Sequence, residues 1–342
     1  MKDLQGRDSH VDMVKTVAIF CVIVIHVSSG GWGIYPMGSC NWISNMFWAS
    51  LTRAAVPLFL MCSGALLLDP EKELPLKKLY GKNLPRVIVA MFFWAFAYMV
   101  YHLIDGNQLS VSALTHAVKE LLIFKHEFHL YYVHIIILVY VFLPITRSFV
   151  KNADHKTMMY ALAVWFALGI LYPTLRYFWP FNLITGFPVQ WVINMSYSAI
   201  GYGILGYYIK HRSSINRRIY LLMLIGGFII TFGGTWIINV ARGSFQDVFL
   251  GGMSVGTALM AAGFFGFLPA KRYRGASIIS KASFCIYLVH VFFMYLCGKV
   301  GLTLDLLPNI LSVPVITIAI FACSCGVYAL LSRIPLVKKW LI

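Results

Sequence analysis

A histidine within the first hydrophobic segment is the residue of this sequence best placed to do chemistry. His26 lies in residues 14–29, eleven positions after Lys15. At a helical rise of 1.5 Å per residue the two are about 16 Å apart, roughly half the hydrocarbon thickness of a bilayer. Ionisable groups in membrane segments are costly and tend to face a bundle interior or a wet cavity. A neutral imidazole at that depth is suited to act as a general base or a nucleophile, reachable from either side.

The composition identifies the class of protein that must position this histidine. Hydrophobic residues make up 60% of the 342 residues and charged residues 12%, with a mean hydropathy of +0.77. Soluble domains do not have this balance. We therefore expect an all-α, polytopic transmembrane helical bundle that forms a single domain over residues 1–342, because the longest loops, near 69–86 and 105–129, are too short to fold alone.

Ten stretches are long and apolar enough to cross a bilayer as helices. They are residues 14–29, 46–68, 87–104, 130–149, 157–175, 191–209, 219–240, 248–268, 282–301 and 309–332. Of the 28 Lys and Arg residues, 22 lie in the termini and the even-numbered loops, and only four lie in the odd-numbered loops. The positive-inside rule therefore predicts that both termini are cytoplasmic.

The remaining features of the sequence exclude other classes of partner and cofactor. The net charge of +16 follows the loops rather than one patch, so it does not indicate nucleic acid. The seven cysteines show neither a disulfide framework nor zinc-ligand spacing, and we expect no metal site. The first segment lacks a convincing cleavage site, so we expect it to be retained.

Arg53 is a second charged residue that the hydropathy pattern places in the membrane, near the outer end of residues 46–68. Its guanidinium cannot lose its proton, so it must snorkel to the interface, pair with another group, or point into a wet cavity. Pro57 follows one turn later. This proline either kinks the helix and exposes backbone carbonyls to a cavity, or serves helix packing alone.

Three further histidines lie within or beside the hydrophobic segments. His129 and His134 mark the outer start of residues 130–149, next to two tyrosines that an interfacial aromatic belt alone would explain. His134 lies deeper, where contact with a neighbouring helix and contact with a substrate are equally compatible with the sequence. His290 lies near the middle of residues 282–301 and poses the same choice between packing and function as His26.

A group of basic residues precedes the third segment on the predicted inner side. Lys78, Lys82 and Arg86 are four residues apart, so on an α-helix they would form one cationic stripe able to bind phosphates. The topology rule would account for these charges equally well. Pro85 is a possible interruption of that helix.

With these residues assembled, the chain resembles the acyltransferase-3 family of membrane O-acyltransferases, which modify bacterial surface polysaccharides. Four stretches carry the resemblance in order: Asp12-x-x-Lys15, then ten residues and His26; Val56-Pro57-Leu58-Phe59 with Ser63-Gly64; His129-Leu130-Tyr131-Tyr132; and Ser283-Phe284 through Tyr287-Leu288-Val289-His290. Lys15 occupies the place commonly held by arginine, and lysine keeps the charge but lacks the planar fork for bidentate binding.

The resemblance implies transfer of an acyl group, usually acetyl, from cytoplasmic acyl-CoA to a hydroxyl of a surface or lipid-linked glycan, at the bacterial cytoplasmic membrane and among its lipids. His26 matches the family's essential histidine. We expect catalytic roles for His26, Lys15 and Arg53; substrate contacts from Asp12, His129, His134 and His290; and binding of acetyl-CoA or another acyl-CoA by Lys78, Lys82 and Arg86. The rival interpretation is a transporter or flippase for a glycolipid, which would also place charged groups within helices.

The topology can be tested with reporter fusions. Alkaline phosphatase fused to the C-terminus should be inactive and green fluorescent protein fused there should fluoresce, because each reporter works on only one side of the membrane. Phosphatase inserted after Asn107, in a predicted outer loop, should be active and serves as the control. A fully active C-terminal phosphatase would overturn the predicted topology.

Overall fold

The computed structural model describes residues 7–342, so Lys2, one of the basic residues counted above, lies outside the described part. Within it the chain is helical and no strand occurs. The longer helices are α1 (Ser9–Ser29), α2 (Cys40–Thr52), α3 (Ala55–Leu67), α4 (Leu84–Asp105), α5 (Val111–Leu122), α6 (Tyr131–Asn152), α7 (His155–Phe166), α8 (Met195–His211), α9 (Arg217–Arg242), α10 (Val255–Phe267), α11 (Arg274–Lys299), α12 (Asn309–Leu331) and α13 (Pro335–Trp340). The predicted all-α polytopic bundle is confirmed.

The number of membrane-spanning segments agrees closely with the prediction. Nine helical segments of residues 7–342 are long and apolar enough to cross a membrane. The remaining predicted span forms α8, which has 17 residues and therefore lies at the lower end of the length range for spanning helices. Several helices begin before the hydrophobic stretch does; α1 starts at Ser9, for example, with the Asp8 carboxylate accepting from the Val11 N–H.

The second span is interrupted where the sequence places Pro57. Helix α2 ends at Thr52 and α3 begins at Ala55, which leaves Arg53 and Ala54 in a turn between them. Pro57 has no N–H, so the Arg53 carbonyl has no helical donor four residues later, and regular α-helix cannot continue through this point. Arg53 therefore stands at a break in a membrane helix.

The entry to the third span differs from a regular helix. A π-helical turn covers Leu79–Asn83, and α4 follows at Leu84. Pro85 does not break α4, because it occupies the first turn, where its missing N–H is not needed. Lys78 lies in the short helix before this turn, Lys82 lies within the turn, and Arg86 lies on α4. The predicted stripe of Lys78, Lys82 and Arg86 is therefore not carried by one continuous α-helix.

Helix α1, which carries His26, lies at the centre of the bundle. It packs against α2, α3, α11 and α12, and Val14, Ala18, Val22 and Ile23 on it are buried. Helices α3 and α8 approach each other closely through glycines: a Cβ added at Gly64 would overlap the Gly203 backbone. This is the close helix contact that small residues permit in membranes.

We expect Gly64→Val to destabilise the protein strongly, because the added side chain must push α8 away from α3. Overpacking of this kind costs roughly 1–3 kcal/mol or more. Gly226→Val, on α9, is the control, since an added Cβ there meets nothing within 4 Å. Thermal unfolding of the detergent-solubilised proteins measures the difference. Equal melting temperatures for the two variants would show that the α3–α8 contact is not as close as described.

Candidate active site

Three histidines from separate parts of the chain meet in the membrane interior. His26 lies on α1, His290 on α11, and His129 in a short 3-10 turn, Phe128–Leu130, that precedes α6. The His26 and His290 ring centroids are 5.1 Å apart, and those of His129 and His290 are 5.3 Å apart. We call these three residues the histidine cluster. The sequence singled out each of them, but did not show that they form one group.

Exposure distinguishes His26 from the other two members of the cluster. His129 and His290 have no accessible surface, whereas His26 is partly exposed. The edge of the Phe128 ring packs against His26, with centroids 5.3 Å apart. His26 is therefore the member of the cluster that a substrate can reach, with His290 packed against it and His129 on the other side of His290.

The orientation of His290 is set by its own helix. Its Nδ1 lies 2.7 Å from the Tyr287 carbonyl oxygen, one turn earlier on α11. In the neutral ring that nitrogen must carry the proton and donate it, so Nε2 holds a lone pair. Nε2 is buried and has no hydrogen-bond partner among residues 7–342. It is thus available to accept a hydrogen bond from an adjacent protonated group.

Arg53 lies on the outer side of the cluster, at the break between α2 and α3. It is partly buried and close enough to His26 for their charges to interact. Tyr131 and Asp247 are its other charge-interacting neighbours. The helix break therefore places a cation that cannot lose its proton near the accessible histidine.

A cavity of about 660 Å³ opens at the end of the bundle that the charge bias predicts to be the inner side. We call it the inner cavity. Its wall carries five basic side chains from four parts of the chain: Arg7, Lys15, Arg86, Lys281 and Lys338. The rest of the wall is formed mainly by aromatic and aliphatic side chains, with the hydroxyls of Ser63, Ser280 and Ser283. Such a cluster of cations at the mouth of a cavity is suited to binding a phosphorylated ligand.

Asp12 contributes to this cavity indirectly. It is 3% exposed and pairs with Arg7, whose Nε donates to Oδ2 at 3.0 Å and whose Nη2 contacts Oδ1. The same Nη2 donates to the Ser280 hydroxyl at 3.1 Å. Asp12 was predicted to touch substrate, but in the structure it holds Arg7 at the cavity wall. Arg7 itself was missed, since it precedes the helix and has no periodic signal.

The structure separates the three residues of the predicted stripe. Arg86 lines the inner cavity and donates to the Ile342 carbonyl, whereas Lys78 and Lys82 are exposed and do not line it. Lys281 and Lys338, which the sequence treated only as topological charges, lie on the wall instead. The basic residues of the cavity wall thus come from separate parts of the chain rather than from one helical face.

His134 lies apart from the histidine cluster. Its Nε2 is 3.2 Å from Nδ1 of His126, and its ring packs against Phe124. His126 in turn contacts the Leu121 carbonyl. His134 thus contacts protein groups in the structure, and its contact with substrate stays a prediction.

Fold and site together define a multi-pass helical membrane protein with an accessible intramembrane histidine and a basic cavity beneath it. The chain matches the model of the acyltransferase-3 family, described as an acyltransferase domain, over residues 8–329. It belongs to this family, as the sequence motifs indicated, and is a membrane acyltransferase. Comparison with curated proteins and with solved structures finds no match.

Proposed function

We propose that this enzyme transfers an acyl group, in the first place acetyl, from cytoplasmic acyl-CoA to a hydroxyl of a surface or lipid-linked glycan on the outer face of the bacterial cytoplasmic membrane. One observation carries the proposal: the inner cavity extends from five cations to side chains that contact the histidine cluster. Tyr287 lines the cavity, and its ring lies 5.9 Å from that of His290. A donor held from inside can thus approach the residue that activates an acceptor from outside.

The donor site follows from the charges of acyl-CoA. Its phosphates require cations, and arginine offers paired donors that match phosphate oxygens. Arg7 and Arg86 supply such donors at the inner end of the cavity, and Lys15 adds a point charge. Beyond them, Val133 and Ile136 offer an apolar wall along which the pantetheine arm and thioester would extend toward the cluster.

The acceptor chemistry is assigned to His26. A sugar hydroxyl is a weak nucleophile at neutral pH and needs a base, which neutral imidazole provides. As His26 takes the hydroxyl proton, the oxygen attacks the thioester carbon, the C–O bond forms, and the C–S bond breaks. The proton then passes from His26 to the departing CoA sulfur. If His26 instead takes the acyl group first, as an acyl-imidazole, the same bonds are exchanged in two steps.

The neighbours of His26 would support this reaction from two sides. Arg53 is placed to stabilise the negative charge that develops on the carbonyl oxygen, or to orient the sugar. The unpaired Nε2 of buried His290 is placed to accept a hydrogen bond from His26 and so to stabilise its protonated form.

His26→Ala and His26→Gln should both abolish acyl transfer, with losses of at least about 10²–10⁴-fold, because neither side chain can serve as a base. His116→Gln, at an exposed site on α5, is the matched control and should retain activity. Transfer from radiolabelled acetyl-CoA is measured with purified proteins that are inserted and folded equally well. Near-normal turnover in both His26 variants would refute the proposed role of His26 in acyl transfer and would favour the transporter interpretation.

Lys15→Gln and Arg86→Gln should raise the KM for acyl-CoA by roughly tenfold each, since a hydrogen bond to a charged group contributes about 1.5–3 kcal/mol. The kcat should change less, because the phosphates lie far from the reacting carbon. Lys151→Gln, at an exposed position at the end of α6, controls for the loss of one charge. A Lys78→Gln/Lys82→Gln double variant tests whether the exposed stripe residues bind the donor instead. If the KM for acyl-CoA rises in this double variant and not in the Lys15 and Arg86 variants, the donor binds at the stripe.

A further inference from the structure

Three aromatic side chains separate the inner cavity from the histidine cluster. Phe59 on α3, Tyr132 on α6 and Tyr287 on α11 are the outermost residues that each of these helices contributes to the cavity wall. The Phe59 and Tyr132 ring centroids are 6.0 Å apart, and the Tyr132 and Tyr287 rings meet edge to face at 5.3 Å. We call these three rings the aromatic partition.

The partition is in direct contact with the cluster. His290 follows Tyr287 by three residues on α11, a rise of about 4.5 Å. The Tyr287 ring lies 5.7 Å from that of His129, and its hydroxyl donates to the His129 carbonyl. The partition therefore forms the outer end of the donor cavity and the inner wall of the cluster at the same time.

The three rings are closely packed. Phe59 and Tyr132 are each 8% exposed and Tyr287 is 4% exposed. Their mutual contacts, together with the hydrogen bond from Tyr287 to His129, hold them against one another. Moving a ring aside would break contacts between aromatic side chains, which contribute beyond the area they bury.

We propose that the aromatic partition selects the length of the transferred acyl chain; this inference rests on the proposed function. For the carbonyl carbon of the donor to reach His26 from the inner cavity, the rings of the partition must part around the thioester, and the attached acyl chain must fit in the opening between the partition and the cluster. A methyl group needs little space there. Each added methylene must displace a packed ring or histidine, so the partition favours acetyl over longer chains.

The test compares acetyl-, butyryl- and hexanoyl-CoA as donors for the purified full-length protein. For the wild type, kcat/KM with acetyl-CoA should exceed kcat/KM with hexanoyl-CoA by at least about tenfold. Added methylene groups produce discrimination of about this size in a closed pocket. Phe59→Leu and Tyr132→Leu, which replace a ring by a smaller and flexible side chain, should each raise the hexanoyl-to-acetyl ratio by about tenfold.

Phe142→Leu is the matched control, because Phe142 lies on the same helix as Tyr132 and packs against Tyr197 instead. It should leave the ratio at the wild-type value. Equal use of hexanoyl- and acetyl-CoA by the wild type would overturn the inference without any variant. So would an unchanged ratio in active Phe59→Leu and Tyr132→Leu proteins. If the wild type transfers an acyl group from none of the three donors, the proposed function itself is overturned, and the inference with it.

Discussion

The cost of placing polar groups in hydrocarbon is the constraint on which this structure depends. An imidazole inside the membrane is tolerated only where protein or a wet cavity surrounds it. The chain meets this requirement by packing α1 among four other helices and by enclosing His26 between His290 and Phe128. The same constraint explains the buried pair of Asp12 with Arg7, since an unpaired carboxylate at that position would be costly.

A consequence of this arrangement is that the two sides of the site differ in character. The inner side carries several cations around a cavity, whereas the outer side presents Arg53 at a helix break beside His26. The aromatic partition lies at the end of the cavity next to the cluster, where the Tyr287 ring is 5.9 Å from that of His290. Under the proposed function, the basic cavity would bind the phosphates of the donor and the side with Arg53 would bind the hydroxyl groups of the acceptor.

Several features could be predicted because they depend on short stretches of sequence. The helical bundle follows from hydropathy. A kink at Pro57 was one of the two alternatives that the sequence left open, and the structure shows a break just before it, at Arg53 and Ala54. The basic cavity could not be predicted in this way. Its residues come from the start, middle and end of the chain, and of the expected stripe of Lys78, Lys82 and Arg86 only Arg86 lies on its wall.

Hydropathy, charge bias and the four family motifs were enough to establish a multi-pass membrane acyltransferase with His26 as its leading candidate residue. These signals are local, because each depends on the solvent preference or the spacing of neighbouring residues. The tertiary structure decided that His290 packs against both His26 and His129 and that His134 contacts His126 instead. It also brought Lys281 and Lys338 to the wall on which Lys15 lies. Those contacts arise from side-chain packing between helices distant in sequence, which no local pattern specifies.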